Sequence, residues 1–133
     1  MAAQFLLDTN ILSDLVRNPQ GRIAKRIARE GEKSICTSIV VASELRFGAE
    51  KSGSERLASQ LEAILAVIDI VPLEEPADRQ YARIRKYLED RGTPIGPNDL
   101  LIAAHALALD QTVITANDRE FSRVPGLKVE NWL

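Results

Sequence analysis

The chain has 133 residues, 45% of them hydrophobic and 27% charged, with a formal net charge of -2 and a single cysteine. That length suits one domain over 1–133 with a real core, and the composition excludes a disordered or fibrous chain. Cys36 alone can form neither an internal disulfide nor a cysteine-cluster metal site, no apolar run approaches the roughly 20 residues of a membrane span, and Met1-Ala2-Ala3-Gln4 carries no basic leader. A cytoplasmic protein without membrane contact is expected.

The run F-L-L-D-T-N-I-L from Phe5 to Leu12 is a strand that ends abruptly in a carboxylate. In an open α/β sheet the carboxyl ends of the strands face the ligand crevice, so Asp8 is placed for chemistry, although an Asp at this point also caps a helix well. Ile11 to Val16 predicts a short helix that stops around Asn18-Pro19. A second helix is predicted from Pro19 to about Glu30, with Ile23, Ala24, Ile27 and Ala28 on one face. Its other face carries Arg22, Lys25, Arg26 and Arg29, a basic stripe best explained as a solvated surface.

Ser34 to Thr37 makes a second strand around Cys36, whose thiol is expected to be buried. Ser38 then caps a helix in which Val40, Glu44 and Phe47 share a stripe. A carboxylate among apolar residues is costly unless it is paired or holds a ligand, which singles out Glu44. Gly48 to Gly53 is expected to break or bend the chain. Ser54 to Ile68 is a further amphipathic helix and Asp69 to Leu73 a third strand. Pro76 to Arg91 is a helix with Arg79, Arg83 and Lys86 at helical spacing; Arg85 lies off that stripe, toward the crevice. This is the better candidate surface for a polyanion.

The loop R-G-T-P-I-G-P-N-D-L leads into L-L-I-A-A-H-A-L-A-L, a helix apolar nearly all round and therefore buried. Asp99 stands at its start, where the helix dipole favours negative charge, with Asn98 available as the cap. His105, within the apolar part, is expected to be a hydrogen-bonded structural residue, because one histidine supports neither a zinc-type site nor a relay. Gln111 to Thr115 is a fourth strand that stops at A-N-D-R-E-F, and Leu127 to Val129 a last edge strand before Trp132, a packing residue. Strands alternating with helices predict an α/β fold with a mainly parallel sheet of four to five strands flanked by helices.

Asp8, Glu44, Asp99 and Asp118 or Asn117 thus recur at strand ends and helix starts. Oxygen-only ligands suit Mg²⁺ or Mn²⁺, ions that act on phosphoryl oxygens and bound water. The motifs of nucleotide-binding loops, serine hydrolases and zinc proteases are absent. Metal-dependent phosphodiester hydrolysis is the chemistry these residues point to.

The sequence resembles the PIN-domain ribonucleases, and among them the VapC toxins of bacterial type II toxin–antitoxin pairs. The resemblance rests on L-L-D-T-N at 6–10, S-x-x-x-x-S-E-L-x-x-G from Ser38 to Gly48, G-T-P-I-G-P-N-D-L-L-I-A-A-H-A at 92–106, T-A-N-D-R-E-F at 115–121 and the N-W ending. It spans essentially the whole chain. It implies a PIN-like fold, a Mg²⁺ or Mn²⁺ site, and cleavage of RNA, often tRNA, by a metal-activated water to 5′-phosphate and 3′-hydroxyl ends. Neutralisation by a VapB antitoxin and a homodimer, sometimes assembled further with the antitoxin, are also implied. Asp8, Glu44 and Asp99 match the family's most regular acidic positions. The fourth falls on Asn117 counting from Thr115 and on Asp118 counting back from Phe121, and Asp118 is preferred because a carboxylate holds a cation better than an amide. Thr9, Asn10, Thr115 and Asn117 would hold the carboxylates from behind, and Arg79, Arg83, Arg85 and Lys86 would meet the RNA. The alternative function is a metal- and RNA-binding PIN module that does not cleave and acts mainly through its protein partner.

Overall fold

A computed structural model describes residues 3–133. Five short strands, β1 (Phe5–Leu7), β2 (Ile35–Ser38), β3 (Asp69–Val71), β4 (Thr112–Ile114) and β5 (Val129–Glu130), form one sheet in the order β3-β2-β1-β4-β5. Every pairing is parallel. Parallel strands need crossovers and must be covered on both faces, and among the described residues seven α-helices supply this: α1 (Thr9–Arg17), α2 (Arg22–Glu30), α3 (Ile39–Ser52), α4 (Glu55–Leu65), α5 (Ala77–Asp90), α6 (Pro97–Leu109) and α7 (Asp118–Phe121). The expected α/β architecture is therefore present, with the sheet wholly parallel.

From the central β1 the chain builds outward through β2 and β3, then crosses back to β4 and β5 on the other side. The reversal of direction between β1 and β4 opens the crevice in which such sheets bind ligands. Leu6 and Leu7 on β1, Val113 and Ile114 on β4, and Ile102 and Ala103 on α6 are fully buried in the main core with Ile84, Leu88 and Phe121. A second cluster of Val16, Ala42, Ala49, Leu61 and Leu65 sits where α1, α3 and α4 meet. Cys36 is buried, its thiol donating to Gln111 Oε1 at 3.1 Å. Trp132 is a packing residue, edge-on to Phe5 and covered by the Arg26 guanidinium 4.7 Å from its ring.

Several local expectations need correction. α3 runs straight through Gly48 and stops only at Gly53, whose φ of +66° suits a residue without Cβ. The stripe Val40-Glu44-Phe47 is not the buried face: that face is Val41, Ala42 and Ala49, and Phe47 is 67% exposed. Glu44 lies at the edge of the packed face, half-buried. α2 begins at Arg22 rather than Pro19, with Gly21 as its cap. Arg26 of the basic stripe is not merely solvated, because it pairs with Glu30 and Glu130 beside Trp132. β3 ends at Val71, and the last strand is Val129–Glu130. The helical turn α7 was not expected.

Leu7, fully buried on the central strand, makes the core directly testable. Leu7→Ala should lower the unfolding free energy by about 2–5 kcal/mol in urea titrations with an unchanged slope; a loss below about 1 kcal/mol would mean that the core does not close on β1.

Candidate active site

Each carboxylate is delivered by a different element to the carboxyl end of the sheet. Asp8 directly follows β1 and is 3% exposed. Its backbone N–H donates to the Ile114 carbonyl at 2.8 Å, extending the β1–β4 ladder to the lip of the crevice. The Thr115 hydroxyl, just beyond β4, donates to Asp8 Oδ2 at 2.7 Å and accepts from the Asn117 N–H at 2.9 Å. Asp8 Oδ1 is buried without a hydrogen-bond partner among the described residues. Asp8 occupies the cap position of α1, but its side chain makes no capping bond. The carboxylate is thus fixed by one oxygen and leaves the other uncommitted.

Glu44 projects from α3, where Thr9 donates to its Oε1 at 2.8 Å and Asn98 to its Oε2 at 3.2 Å. α6 begins with Pro97 after Gly96, and no side chain caps it. Pro97 at the first helical position needs no donor partner. Asn98 is committed to Glu44 rather than to capping, and Asp99 faces the other acids. Asn117 donates to Asp99 Oδ2 at 3.3 Å and to Glu120 Oε2 at 2.5 Å. Glu120 also accepts from the Gly96 N–H at 2.7 Å, clamping α7 to the start of α6.

The titration behaviour follows from this crowding. Burial, then the charges of Asp8, Glu120 and Glu44, push the Asp99 carboxyl up to about 7, against the opposing Asn117 hydrogen bond. Burial also raises Asp8, with Glu44 adding to the effect, while bonds from Thr115 and Thr9 pull the other way. Burial raises Glu120 too, but the Gly96 N–H, Asn117, the Asp99 carboxyl and Arg123 outweigh it and leave Glu120 below the usual carboxylate range. Asp99 therefore exchanges its proton close to neutral pH, and a bound cation would favour the ionised form.

Asp8, Thr9, Glu44, Asp99, Thr115 and Asn117 are brought together. Asp118 is not: it is exposed at the start of α7 and has no side-chain hydrogen bond among the described residues. Asn10 is exposed on α1 and likewise unbonded. Glu120 was overlooked, and Asn98 was expected only as a helix cap, a role it does not fill. A helical turn over Asp118–Phe121 puts Asn117 and Glu120 on one side, a relation that counting along an extended T-A-N-D-R-E-F does not reveal. Of the basic residues, Arg85 is held by Glu89 at 2.7 Å and the Tyr81 hydroxyl at 2.9 Å, lining a cleft with Pro94, Ile95 and Pro97 beside the start of α6. Arg83 donates to Gln80 and Lys86 pairs with Asp90. Arg79 is exposed.

A divalent cation fits this donor set. The donors are oxygens only, Asp8 offers a buried unpartnered oxygen, and the Asp99 carboxyl is raised by neighbours whose repulsion a cation would relieve. Among the described residues no three His, Cys, Asp or Glu side chains are grouped closely enough to hold a metal ion among themselves, so an ion here would take one or two carboxylates and complete its shell with water, as Mg²⁺ does.

The PIN domain family model matches residues 5–127. The chain is 35% identical over 130 residues to the tRNA(fMet)-specific endonuclease VapC of Salmonella typhimurium, covering 97% of this chain and 98% of the relative. It is 37% identical over 130 residues to the protein of the same name from Shigella flexneri, with the same coverage. Among solved structures, VapBC2 from Rickettsia felis bound to a DNA fragment from its promoter superimposes with a TM-score of 0.89 at 34% identity, over 97% of this chain and 98% of that one. The crevice between β1 and β4 is thus found on a fold shared over nearly the full length, and the chain belongs to the PIN-domain family, within its VapC group.

Proposed function

We propose that the protein is a divalent-metal-dependent endoribonuclease toxin, its whole length acting as one PIN domain, that hydrolyses a phosphodiester bond of RNA, with tRNA the favoured substrate, and is neutralised by a VapB-type antitoxin. The observation that carries this reading is the meeting of Asp8, Glu44, Asp99 and Glu120 at the β1–β4 crevice, with Asp8 half-satisfied and Asp99 raised by its neighbours. Folding gains nothing from such repulsion. The names of the relatives supply the substrate class and the antitoxin; the geometry supplies the chemistry. As a homodimer, alone or joined to the antitoxin, the protein would present two such crevices.

Asp8 and Asp99 are the residues that would hold Mg²⁺ or Mn²⁺ directly, with Glu44 reaching the ion itself or through water. When bound, the ion supplies positive charge at the scissile phosphate and lowers the pKa of a coordinated water. Thr115 keeps Asp8 in one orientation, Thr9 and Asn98 keep Glu44 in another, and Asn117 spans Asp99 and Glu120. Oriented acceptors of this kind can hold a water in line with the phosphate, at no reorganisation cost during reaction. We assign the fourth acidic position to Glu120 rather than to Asp118, because Glu120 faces Asp99 and Asp118 faces solvent. Arg79, Arg83, Arg85 and Lys86 on α5 would meet the phosphate backbone and offset the acidic average of the chain.

Purified protein free of antitoxin should cut end-labelled tRNA at discrete positions with Mg²⁺ or Mn²⁺, and EDTA should stop it. Asp8→Asn should lower the rate by more than the ~100-fold typical of losing an outer-sphere partner, with circular dichroism unchanged. Equal cutting by wild type and Asp8→Asn would remove the assigned site, while a cation-binding protein that cuts no RNA would leave a binding module.

Glu120→Gln should slow cleavage by about 10–100-fold and Asp118→Asn by less than about twofold. The reverse order in single-turnover assays would return the fourth position to Asp118.

A carboxyl raised in the folded state binds protons more tightly there than in the unfolded chain, so its stabilising effect is complete below the ordinary Asp value and lost as pH rises through its folded pKa. With Asp99 at about 7, cation-free protein should melt at progressively lower temperature from about pH 4 to pH 7. Added Mg²⁺ should raise the melting temperature more at pH 7.5 than at pH 5, and Asp99→Asn should flatten both trends. A wild-type response independent of pH would contradict the crowding of these carboxylates.

A further inference from the structure

His105 is 2% exposed on the apolar helix α6, and Ser38 is fully buried at the junction of β2 and α3. Their side chains meet, His105 Nδ1 to Ser38 Oγ, at 2.8 Å. Ser38 Oγ also accepts from the Val40 N–H at 3.0 Å as the cap of α3, so one hydroxyl joins the helix start to the ring. The other ring nitrogen, Nε2, is buried without a hydrogen-bond partner among the described residues, and burial holds the ring below its ordinary pKa, against the opposing effects of the Pro72 carbonyl and the Glu74 charge.

A buried imidazole with one nitrogen unsatisfied costs stability, and an apolar side chain among Ile102, Ala103, Ala104 and Ala106 would avoid that cost. The position of the bond suggests what it achieves. α3 and α6 run antiparallel and touch through two side-chain hydrogen bonds: Ser38 to His105 at one point and Glu44 to Asn98 at the other. Six residues separate Ser38 from Glu44 and seven separate Asn98 from His105, about 9–10 Å along each axis. One bond lies in the core, and the other lies at the acidic crevice beside Asp99.

We infer that His105 is a positioning residue: its hydrogen bond with Ser38 pins the capped end of α3 to α6 and thereby sets where Glu44 stands relative to Asp99. The inference rests on the site proposed above. The crevice bonds from Thr9 and the exposed Asn98 orient the Glu44 carboxylate once α3 is in place, and the Ser38–His105 bond is the side-chain hydrogen bond that ties the start of α3 to α6 in the core. A displacement of about 1 Å suffices to impair a site of this kind.

The test uses the full chain, with cleavage of tRNA and the Mg²⁺-induced rise in melting temperature as separate readouts. His105→Leu, which fills the space without a bond to Ser38, should fold cooperatively, lose about 10–100-fold in kcat with KM nearly unchanged, and show a smaller Mg²⁺-induced rise. His105→Asn, whose amide can bond Ser38 Oγ near the place of Nδ1, should recover most of both. Ser38→Ala approaches the same bond from the other side, and its loss should not add to that of His105→Leu in the double variant, as expected for one shared interaction; should His105→Leu fail to fold, Ser38→Ala alone carries the test. Full kcat and an unchanged Mg²⁺ response in His105→Leu or Ser38→Ala would overturn the inference, as would losses that add. If wild type binds Mg²⁺ without cutting RNA, the enzyme reading fails, while the Mg²⁺ response of the variants still decides the role of His105.

Discussion

Repulsion among carboxylates is the constraint around which this protein is arranged. Asp8, Glu44, Asp99 and Glu120 come from positions far apart in the chain, and nothing about them individually favours proximity. They are held together by the packing of the elements behind them: β1 and β4 by a buried apolar ladder, α6 by its alanine-rich faces, α7 by Phe121 in the core. The cost of the site is met by hydrophobic burial elsewhere. It appears locally as an uncommitted oxygen on Asp8 and an Asp99 carboxyl pushed up to about 7.

Neutral polar groups distribute that repulsion. Thr9, Asn98, Thr115 and Asn117 each donate to a carboxylate, and none of them adds a charge. A lysine or arginine in their place would satisfy the acids more strongly and compete with a cation for them. Donors without charge orient the oxygens and leave the negative potential intact, which suits a centre meant to concentrate a cation and then a phosphate beside it. The basic stripes lie elsewhere, on α5 and α2, where several residues are engaged by partners of their own, and the nearest cation named by its effect, Arg123, acts on Glu120.

What could be read from the residues alone was set by whether the signal is local. Strands that stop at a carboxylate or its neighbours, such as F-L-L-D and T-V-I-T-A-N, are visible because apolar runs end where the sheet ends. The parallel sheet follows from the alternation of strands and helices, and Ser38 as a cap follows from its place before an apolar periodic run. Glu44 was found for a partly mistaken reason: its supposed apolar stripe includes the exposed Phe47, and the true buried face lies beside it. Gly48 was given too much weight, since a single glycine in open space costs a long helix only about 1 kcal/mol. Glu120 was missed and Asn98 read as a cap because their roles depend on contacts across the fold: a four-residue helix turns Glu120 toward Gly96, and Asn98 is taken by Glu44 from another helix. No spacing rule within one segment encodes those meetings.

The two outer strands of the sheet, β3 and β5, contain three and two residues. An edge that short exposes few free backbone donors and acceptors, so an incoming chain has little ladder to extend. Recruitment of other molecules must then rely on side chains presented by helices and loops. Such recognition can diverge residue by residue between related proteins without touching the sheet.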